Sequence, residues 1–287
     1  MNSVINQFTS RQYMITPDFE YFHYIDRSFS DVEYHNHDFY EIYYFVSGKV
    51  TYIIEGKSYR LKPGDILLIK NNELHKPIVE QGEKYERIVI WVNPDFLKKN
   101  STNDTDLSLC FETFSPGKTH IIRPDPDLST KIKNILHNFE NTCSSSGYGN
   151  NILKDIYLME LIVYINKAFL ESLGNRVEEG VEYNEKITNI IQYINDNLSS
   201  DLSLDMLASK FYISKYHLLR EFKKYTGYTI YSYIRHKRLI MAKSLLKEGL
   251  SVTEVYNRCG FGDYSNFIRS FKKSFGVPPK KYYKTQL

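Results

Sequence analysis

The sequence predicts a two-domain α+β protein: a β-barrel half followed by an all-helical half. Three observations predict it. The charge is split, because residues 184–287 hold 18 Lys/Arg and 8 Asp/Glu, a net +10, whereas residues 1–183 carry −7 and the whole chain only +3. The apolar period changes from about two to about 3.6 near Asp125. The basic half also contains a copy of itself: Leu218-Leu219-Arg220-Glu221-Phe222-Lys223-Lys224-Tyr225-Thr226-Gly227 recurs as Phe267-Ile268-Arg269-Ser270-Phe271-Lys272-Lys273-Ser274-Phe275-Gly276, 49 residues on.

At about 150 residues per domain, 287 residues suggest two domains. Apolar residues at 42% and charged residues at 25% exclude a disordered or collagen-like chain. Cys110, Cys143 and Cys259 form no CxxC pair, which argues against a disulfide scaffold and fits a reducing cytosol. The first residues show no basic head and apolar run, so no signal peptide is expected. The most apolar stretch, Ile156 to Ile165, carries Glu160 and falls short of the roughly 20 residues a membrane span needs. A cytoplasmic protein without a membrane partner is therefore expected. The 25 Tyr read first as composition and second as stacking surface for sugars or bases.

From Asp31 to Val92 aromatic and β-branched runs alternate with polar residues. Turns at Ser47-Gly48, Glu55-Gly56, Lys62-Pro63-Gly64 and Asn71-Asn72 break them. Short strands at that spacing predict a closed barrel or a sandwich. A helix begins near Pro126, with Leu128, Ile132, Ile135 and Phe139 on one stripe. A second helix, about Asn151–Leu170, has two apolar stripes. One runs through Ile152, Ile156, Met159, Val163 and Leu170 with Asn166 in the series; the other is Leu158, Ile162, Ile165 and Phe169. Either both stripes are internal, or one faces a partner subunit with Asn166 setting register. Residues 171–184, with two Gly and an acidic cluster, read as a linker.

In the basic half each copy reads helix, turn, helix. Ser203 and Ser214 suit N-caps in the first copy, and Ser251 with Glu254 forms a capping box in the second. Phe211-Tyr212-Ile213 and Arg258-Cys259-Gly260-Phe261 turn the chain, and Asp263 or Ser265 starts the last helix. Gly227 and Gly276 suit left-handed C-caps, and Pro278-Pro279 prevents helical continuation. Leu218/Phe222 and Phe267/Phe271 are i, i+4 pairs and so define the buried faces. That turns Lys215, Tyr216, Leu219, Arg220 and Lys223 outward in one copy, and Tyr264, Ser265, Asn266, Arg269 and Lys273 in the other. Arg, Asn and hydroxyl groups at the start of an exposed helix suit base edges in a major groove, and Lys suits phosphates. Thr229–Lys247 reads as one connecting helix that fixes the two copies relative to each other, so successive major grooves about 34 Å apart are the targets.

These residues resemble the AraC/XylS transcription regulators over about Ile187–Tyr282. The resemblance is carried by Leu207-Ala208, Ser214 to Lys224 with Thr226-Gly227, Arg238…Ala242…Leu245-Leu246, Cys259-Gly260-Phe261 and Gly276…Pro278…Tyr282. It implies tandem helix-turn-helix modules that bind a double-stranded DNA operator. The base-reading residues it implies are Tyr216, Arg220, Tyr264, Ser265, Asn266 and Arg269, and Ser214, Lys215, Lys223 and Lys273 are further DNA-binding candidates on the same two helices. One departure is Tyr256, where the family usually has a small Ala.

In the acidic half, His35-x-His37-x-x-x-Glu41, then Gly48, Pro63-Gly64-Asp65 and His75 resemble the two cupin motifs over about Asp31–Val92. On a strand, positions 35, 37 and 41 share one face, with Tyr43 and Tyr52 on neighbouring inward positions. Three readings are open: a small ligand held by hydrogen bonds at His35, His37, Glu41, Tyr43, Tyr52 and His75; a Mn, Fe, Ni or Zn ion; or polar groups of a barrel mouth only. No Walker A sequence, GxGxxG, GxSxG or HExxH is present. The preferred reading is the small ligand, a site with no catalytic residue, metal or cofactor.

The expected organisation is a cupin-like sensing barrel over residues 1–120, a helical dimerisation segment over 121–170, the linker 171–184, and an all-α tandem helix-turn-helix domain over 185–287. The expected function is a homodimeric DNA-binding regulator responding to a small effector, a carbohydrate by preference, and contacting RNA polymerase if it activates. The alternatives are a metal-dependent cupin enzyme fused to a DNA-binding domain, and a DNA-binding dimer whose barrel has no ligand.

Overall fold

Side-chain alternation sets the architecture of the N-terminal half. Its strands are β1 (Ile5–Asn6), β2 (Phe19–Asp26), β3 (Tyr40–Ser47), β4 (Val50–Ile54), β5 (Lys57–Arg60), β6 (Ile66–Ile69), β7 (His75–Val79), β8 (Tyr85–Val92), β9 (Ile121–Ile122) and β10 (Val181–Glu182). The computed structural model describes residues 5–6, 11–27, 32–80, 82, 84–113, 119–172 and 180–284. The chain divides into two compact units that meet in sequence between Glu182 and Tyr183.

Hydrogen bonding places the strands in two sheets, ordered β1-β2-β8-β3-β6-β9 and β10-β5-β4-β7. Among the described residues the ladders do not close into a ring, so two sheets stand where a closed barrel was one of the expected forms. Successive side chains on β3 go to opposite faces. Tyr40, Ile42 and Tyr44 meet Ile88, Ile90 and Val92 and the helices. Tyr43 and Phe45 meet Tyr52, Ile54 and Tyr59 of the four-stranded sheet. Both faces are apolar, which is why β3, β6 and β8 are buried nearly throughout.

The helical cover comprises α1 (Pro94–Asn100), α2 (Leu109–Glu112), α3 (Pro126–Cys143) and α4 (Asn150–Ser172). Asp125 caps α3 by accepting from the Leu128 amide, with Pro126 at the start where no amide is needed. Ile132, Ile135 and Phe139 of its stripe are buried. On α4 the stripe Leu158, Ile162, Ile165 and Phe169 is buried, whereas Ile152, Ile156 and Leu170 are exposed.

Asn166 corrects its sequence reading. It is buried, its Oδ1 accepts from the Cys110 amide at 2.8 Å, and its Nδ2 donates to the Leu107 and Ile162 carbonyls at 3.0 Å. It ties α2 to α4 and sets no register at a partner seam. Asn166→Ala leaves two buried backbone groups unmatched and should destabilise the unit by about 2 kcal/mol in urea denaturation.

The C-terminal unit is built from α5 (Glu185–Asp196), α6 (Leu204–Lys210), α7 (Lys215–Thr226), α8 (Ile230–Lys247), α9 (Val252–Arg258), α10 (Tyr264–Phe275) and α11 (Pro279–Lys284). Ser203, Ser214, Thr229, Ser251 and Asp263 each accept an amide two or three residues on, and Ser251 with Glu254 completes a capping box. Helix α7 ends on Gly227 at φ 74° and α10 on Gly276 at φ 75°, the left-handed caps that the repeat predicts. Pro278-Pro279 ends α10 but also opens α11, because proline fits a first helical turn. Leu218, Phe222, Phe267 and Phe271 are fully buried. The sequence linker is only partly a loop: Val181 and Glu182 pair with Tyr59 and Ser58, and residues 173–179 lie outside the described residues.

Candidate functional site

Two groups of side chains carry the chemistry. The first lies within the N-terminal unit, where β3 delivers Glu41, the segment before it delivers His37, and β7 delivers His75. The predicted common strand for His35, His37 and Glu41 is not what forms, since β3 begins only at Tyr40. His35 instead exchanges backbone hydrogen bonds with His75, at 3.1 and 3.0 Å, while the His37 carbonyl accepts from Asn72. His37, Glu41 and His75 still converge, with ligand atoms all within 4.8 Å of one another. His35 stays alongside, its ring centroid 4.2 Å from that of His75.

The backbone fixes the ring tautomers. Nδ1 of His35, His37 and His75 stands 3.0, 2.9 and 2.9 Å from the carbonyls of Glu33, Phe39 and Glu73. A carbonyl only accepts, so each Nδ1 carries a proton turned to the backbone and each Nε2 is left for other partners. Nε2 of His37 and of His75 are buried without a hydrogen-bond partner. Nε2 of His37 is 3.3 Å from Glu41 Oε2 but off hydrogen-bond alignment. Burial, then the neighbouring His35 and His37, push the His75 pKa well below the usual imidazole value, so His75 is neutral. Burial works to raise Glu41, but His37, His35 and the Trp91 N–H outweigh it and hold the carboxyl below the usual range.

Aromatic walls complete this pocket. Phe39 stacks on His37 with centroids 3.9 Å apart, and Trp91 Nε1 donates to Glu41 Oε2 at 3.0 Å. Tyr52 lies with its hydroxyl 3.4 Å from Glu41 Oε1 and its ring 5.0 Å from that of Tyr43. The Tyr43 hydroxyl meets that of Tyr85 at 2.6 Å. Sequence reasoning missed Trp91, Phe39 and Tyr85. Strand parity was the available signal, since Trp91 stands opposite Glu41 across the β3–β8 ladder. The arrangement sets two buried Nε2 atoms without a hydrogen-bond partner beside a carboxylate, with neutral His75 and Glu41 as acceptors, which suits hydroxyl groups or a cation.

The second group is the outer faces of α7 and α10. Tyr216, Leu219, Arg220 and Lys223 are exposed on α7; Tyr264, Ser265, Arg269 and Lys273 are exposed on α10, and Asn266 is half-buried. The Ser214 hydroxyl is engaged as the α7 cap, and Lys215 pairs with Asp205. Arg220 is steadied on its own helix, with Nε donating to Glu221 at 3.1 Å and Nη2 3.3 Å from His217 Nδ1. Tyr256 is accommodated by edge-on packing against Tyr264 at 5.2 Å and by contact with Phe267.

A β-rich unit holding a polar pocket, joined to a basic helical unit with two exposed helix faces, defines a ligand-binding DNA-binding protein. Residues 17–162 match the family described as AraC-like ligand binding domain, and residues 207–285 match Helix-turn-helix domain. The chain belongs to the AraC family of transcriptional regulators and joins an N-terminal ligand-binding domain to a helix-turn-helix DNA-binding domain. It is 24% identical to the HTH-type transcriptional activator RhaS of Salmonella heidelberg over 86% of this chain and 85% of that protein. Among solved structures, ToxT of Vibrio cholerae with bound unsaturated fatty acid is 16% identical, covering 93% of this chain and 95% of that one, with a TM-score of 0.41. The C-terminal domain of AraT, a response regulator of Geobacillus stearothermophilus, is 28% identical over 36% of this chain and 88% of its own, with a TM-score of 0.35. No helix among the described residues is long and apolar enough to cross a membrane.

Proposed function

We propose that the protein is a cytoplasmic, non-enzymatic, one-component regulator whose cupin-like N-terminal unit binds a small polyhydroxylated effector. The observation that carries this reading is the convergence of two buried Nε2 atoms without hydrogen-bond partners and Glu41, walled by Tyr43 and Tyr52 with His35 alongside. Sugar hydroxyls supply the missing donors, and aromatic faces cover the apolar faces of a pyranose. A carbohydrate is thus the favoured class, and activation through RNA polymerase is the sign suggested by relatives named as activators. The exposed stripe Ile152, Ile156 and Leu170 on α4 supports a homodimer contact.

In this reading α6–α7 and α9–α10 act as tandem helix-turn-helix modules on one duplex. Tyr216, Arg220, Tyr264, Ser265, Asn266 and Arg269 face bases; Ser214, Lys215, Lys223 and Lys273 face phosphates. The effector acts by favouring one arrangement of the DNA-binding units, since equal affinity for both arrangements shifts nothing.

A second reading is favoured by the same tautomers: His37, Glu41 and His75 suit a divalent transition metal, with each Nδ1–H anchored to a carbonyl as such ligands commonly are. Thermal-shift titration separates the two. A sugar at 100 times its Kd should stabilise the protein by about 2.7 kcal/mol, and His37→Ala should abolish that shift. Stoichiometric Zn, Mn, Fe or Ni in the purified protein, lost on His75→Ala, would establish the metal instead. No response to a broad sugar panel or to these metals would leave a dimerising domain without a ligand.

A further inference from the structure

Between the two helix pairs the C-terminal unit holds a cavity of about 610 Å³ that no role so far assigned uses. It is lined by Leu219 from the outer face of α7, by Asn266 from α10 and by Tyr231, Arg235 and Arg238 of α8. The surface around Tyr231 and Arg235 therefore lies between the two exposed helix faces.

Most charged groups here are already engaged. Arg238 Nε donates to the Leu198 carbonyl at 2.9 Å and its Nη2 to that of Ser200 at 2.8 Å. Asp201 accepts from the Ser203 amide and hydroxyl, and Asp263 is the α10 cap. Arg235 differs: it is exposed, has no ion pair among the described residues, and lies over the ring of Tyr231 at 5.7 Å. Tyr231 is 65% exposed, although its neighbours on α8, Ile230, Tyr233 and Ile234, are buried. An aromatic ring and a guanidinium whose one contact is that ring are thus displayed together on one exposed strip of α8.

We propose that Tyr231 and Arg235 make a third DNA contact, on the sugar–phosphate backbone flanking the minor groove between the two major-groove sites. The inference rests on both helix pairs engaging one duplex, as in the reading above. If α7 and α10 enter successive major grooves, the segment between those grooves faces the α8 surface. A guanidinium is the side chain best matched to phosphate oxygens there. A backbone contact holds the duplex in register without reading sequence.

The test is a titration of the full chain with a duplex of about 30 base pairs that the chain itself has selected from a random-sequence pool, repeated over a range of salt. Arg235→Ala should weaken binding about 3- to 10-fold, equally for the selected duplex and one with a changed base, and make the log–log salt slope shallower by about 0.9. Arg235→Lys should restore most of that slope. Because Arg235 is exposed, thermal unfolding should be unchanged. An Arg235→Ala protein with the parent's affinity and salt slope would overturn the proposal, as would a loss confined to the selected sequence, which would mean base reading. Arg220→Ala measured alongside separates the two levels: if it weakens binding while Arg235→Ala does not, only the third contact fails. If neither does, the one-duplex reading fails and the third contact fails with it.

Discussion

Combined replacement of Arg220 and Arg269 by alanine should remove selective DNA binding. The two side chains occupy equivalent positions of the 49-residue repeat and both are exposed beside a buried Phe or Leu pair. A guanidinium paired with a base edge is worth about 1–3 kcal/mol. The residues lie on separate helices, α7 and α10, with no shared partner among the described residues, so their losses should add. The double variant is then expected to lose about 2–6 kcal/mol for its selected duplex while keeping its phosphate-driven, non-specific affinity. A gel-shift titration at fixed salt reads both quantities. Single variants should each lose about half, and each should relax specificity in its own part of the site. Lys223→Ala should by contrast weaken all duplexes alike and flatten the salt slope.

Gly260→Ala should be the most damaging small substitution in the C-terminal unit. Gly260 sits in the turn between α9 and α10 at φ 72°, where a side chain is strained. A Cβ there would stand 2.5 Å from the Leu198 carbonyl oxygen and 3.0 Å from the Arg238 guanidinium. Neither neighbour can give way easily, because that guanidinium also binds the Leu198 and Ser200 carbonyls. Strain and overlap together should cost about 2–4 kcal/mol. Gly262→Ala is the internal control. It lies two residues on, without a left-handed backbone and with nothing within 4 Å of an added Cβ, so its urea midpoint should barely move.

The parts legible in the sequence were those set by local rules. Helix caps at Ser203, Ser214 and Ser251 depend on residues three apart, and all three form as read. The repeat placed Phe222 and Phe271 in the core because an i, i+4 apolar pair leaves a helix one face to bury. Parity likewise placed Tyr43 and Tyr52 inside. What stayed hidden depends on long-range pairing. Strand β2, Phe19–Asp26, lies before the stretch read as strands, because its polar and aromatic residues take both faces and its full length is set by the β8 ladder.

Asn166 reads in the sequence as one position of an apolar stripe because periodicity carries no information about the backbone groups of Cys110 and Leu107 that it meets. The histidines were grouped by spacing on one strand; their convergence instead comes from the bridge between His35 and His75. The tautomers that leave Nε2 of His37 and His75 buried without partners follow from carbonyls two residues away, which spacing does not show. The net charge of +3 concealed both partners, since an acidic ligand-binding half cancels most of a basic DNA-binding half.

Selection of bound duplexes from a random-sequence pool by the full chain tests the central claim most directly. The account predicts an enriched site with two blocks of specified bases about 10–10.5 base pairs apart, centre to centre. It further predicts that Arg220→Ala and Arg269→Ala each erase a different block. No enrichment, or a single block that both variants leave intact, would contradict it.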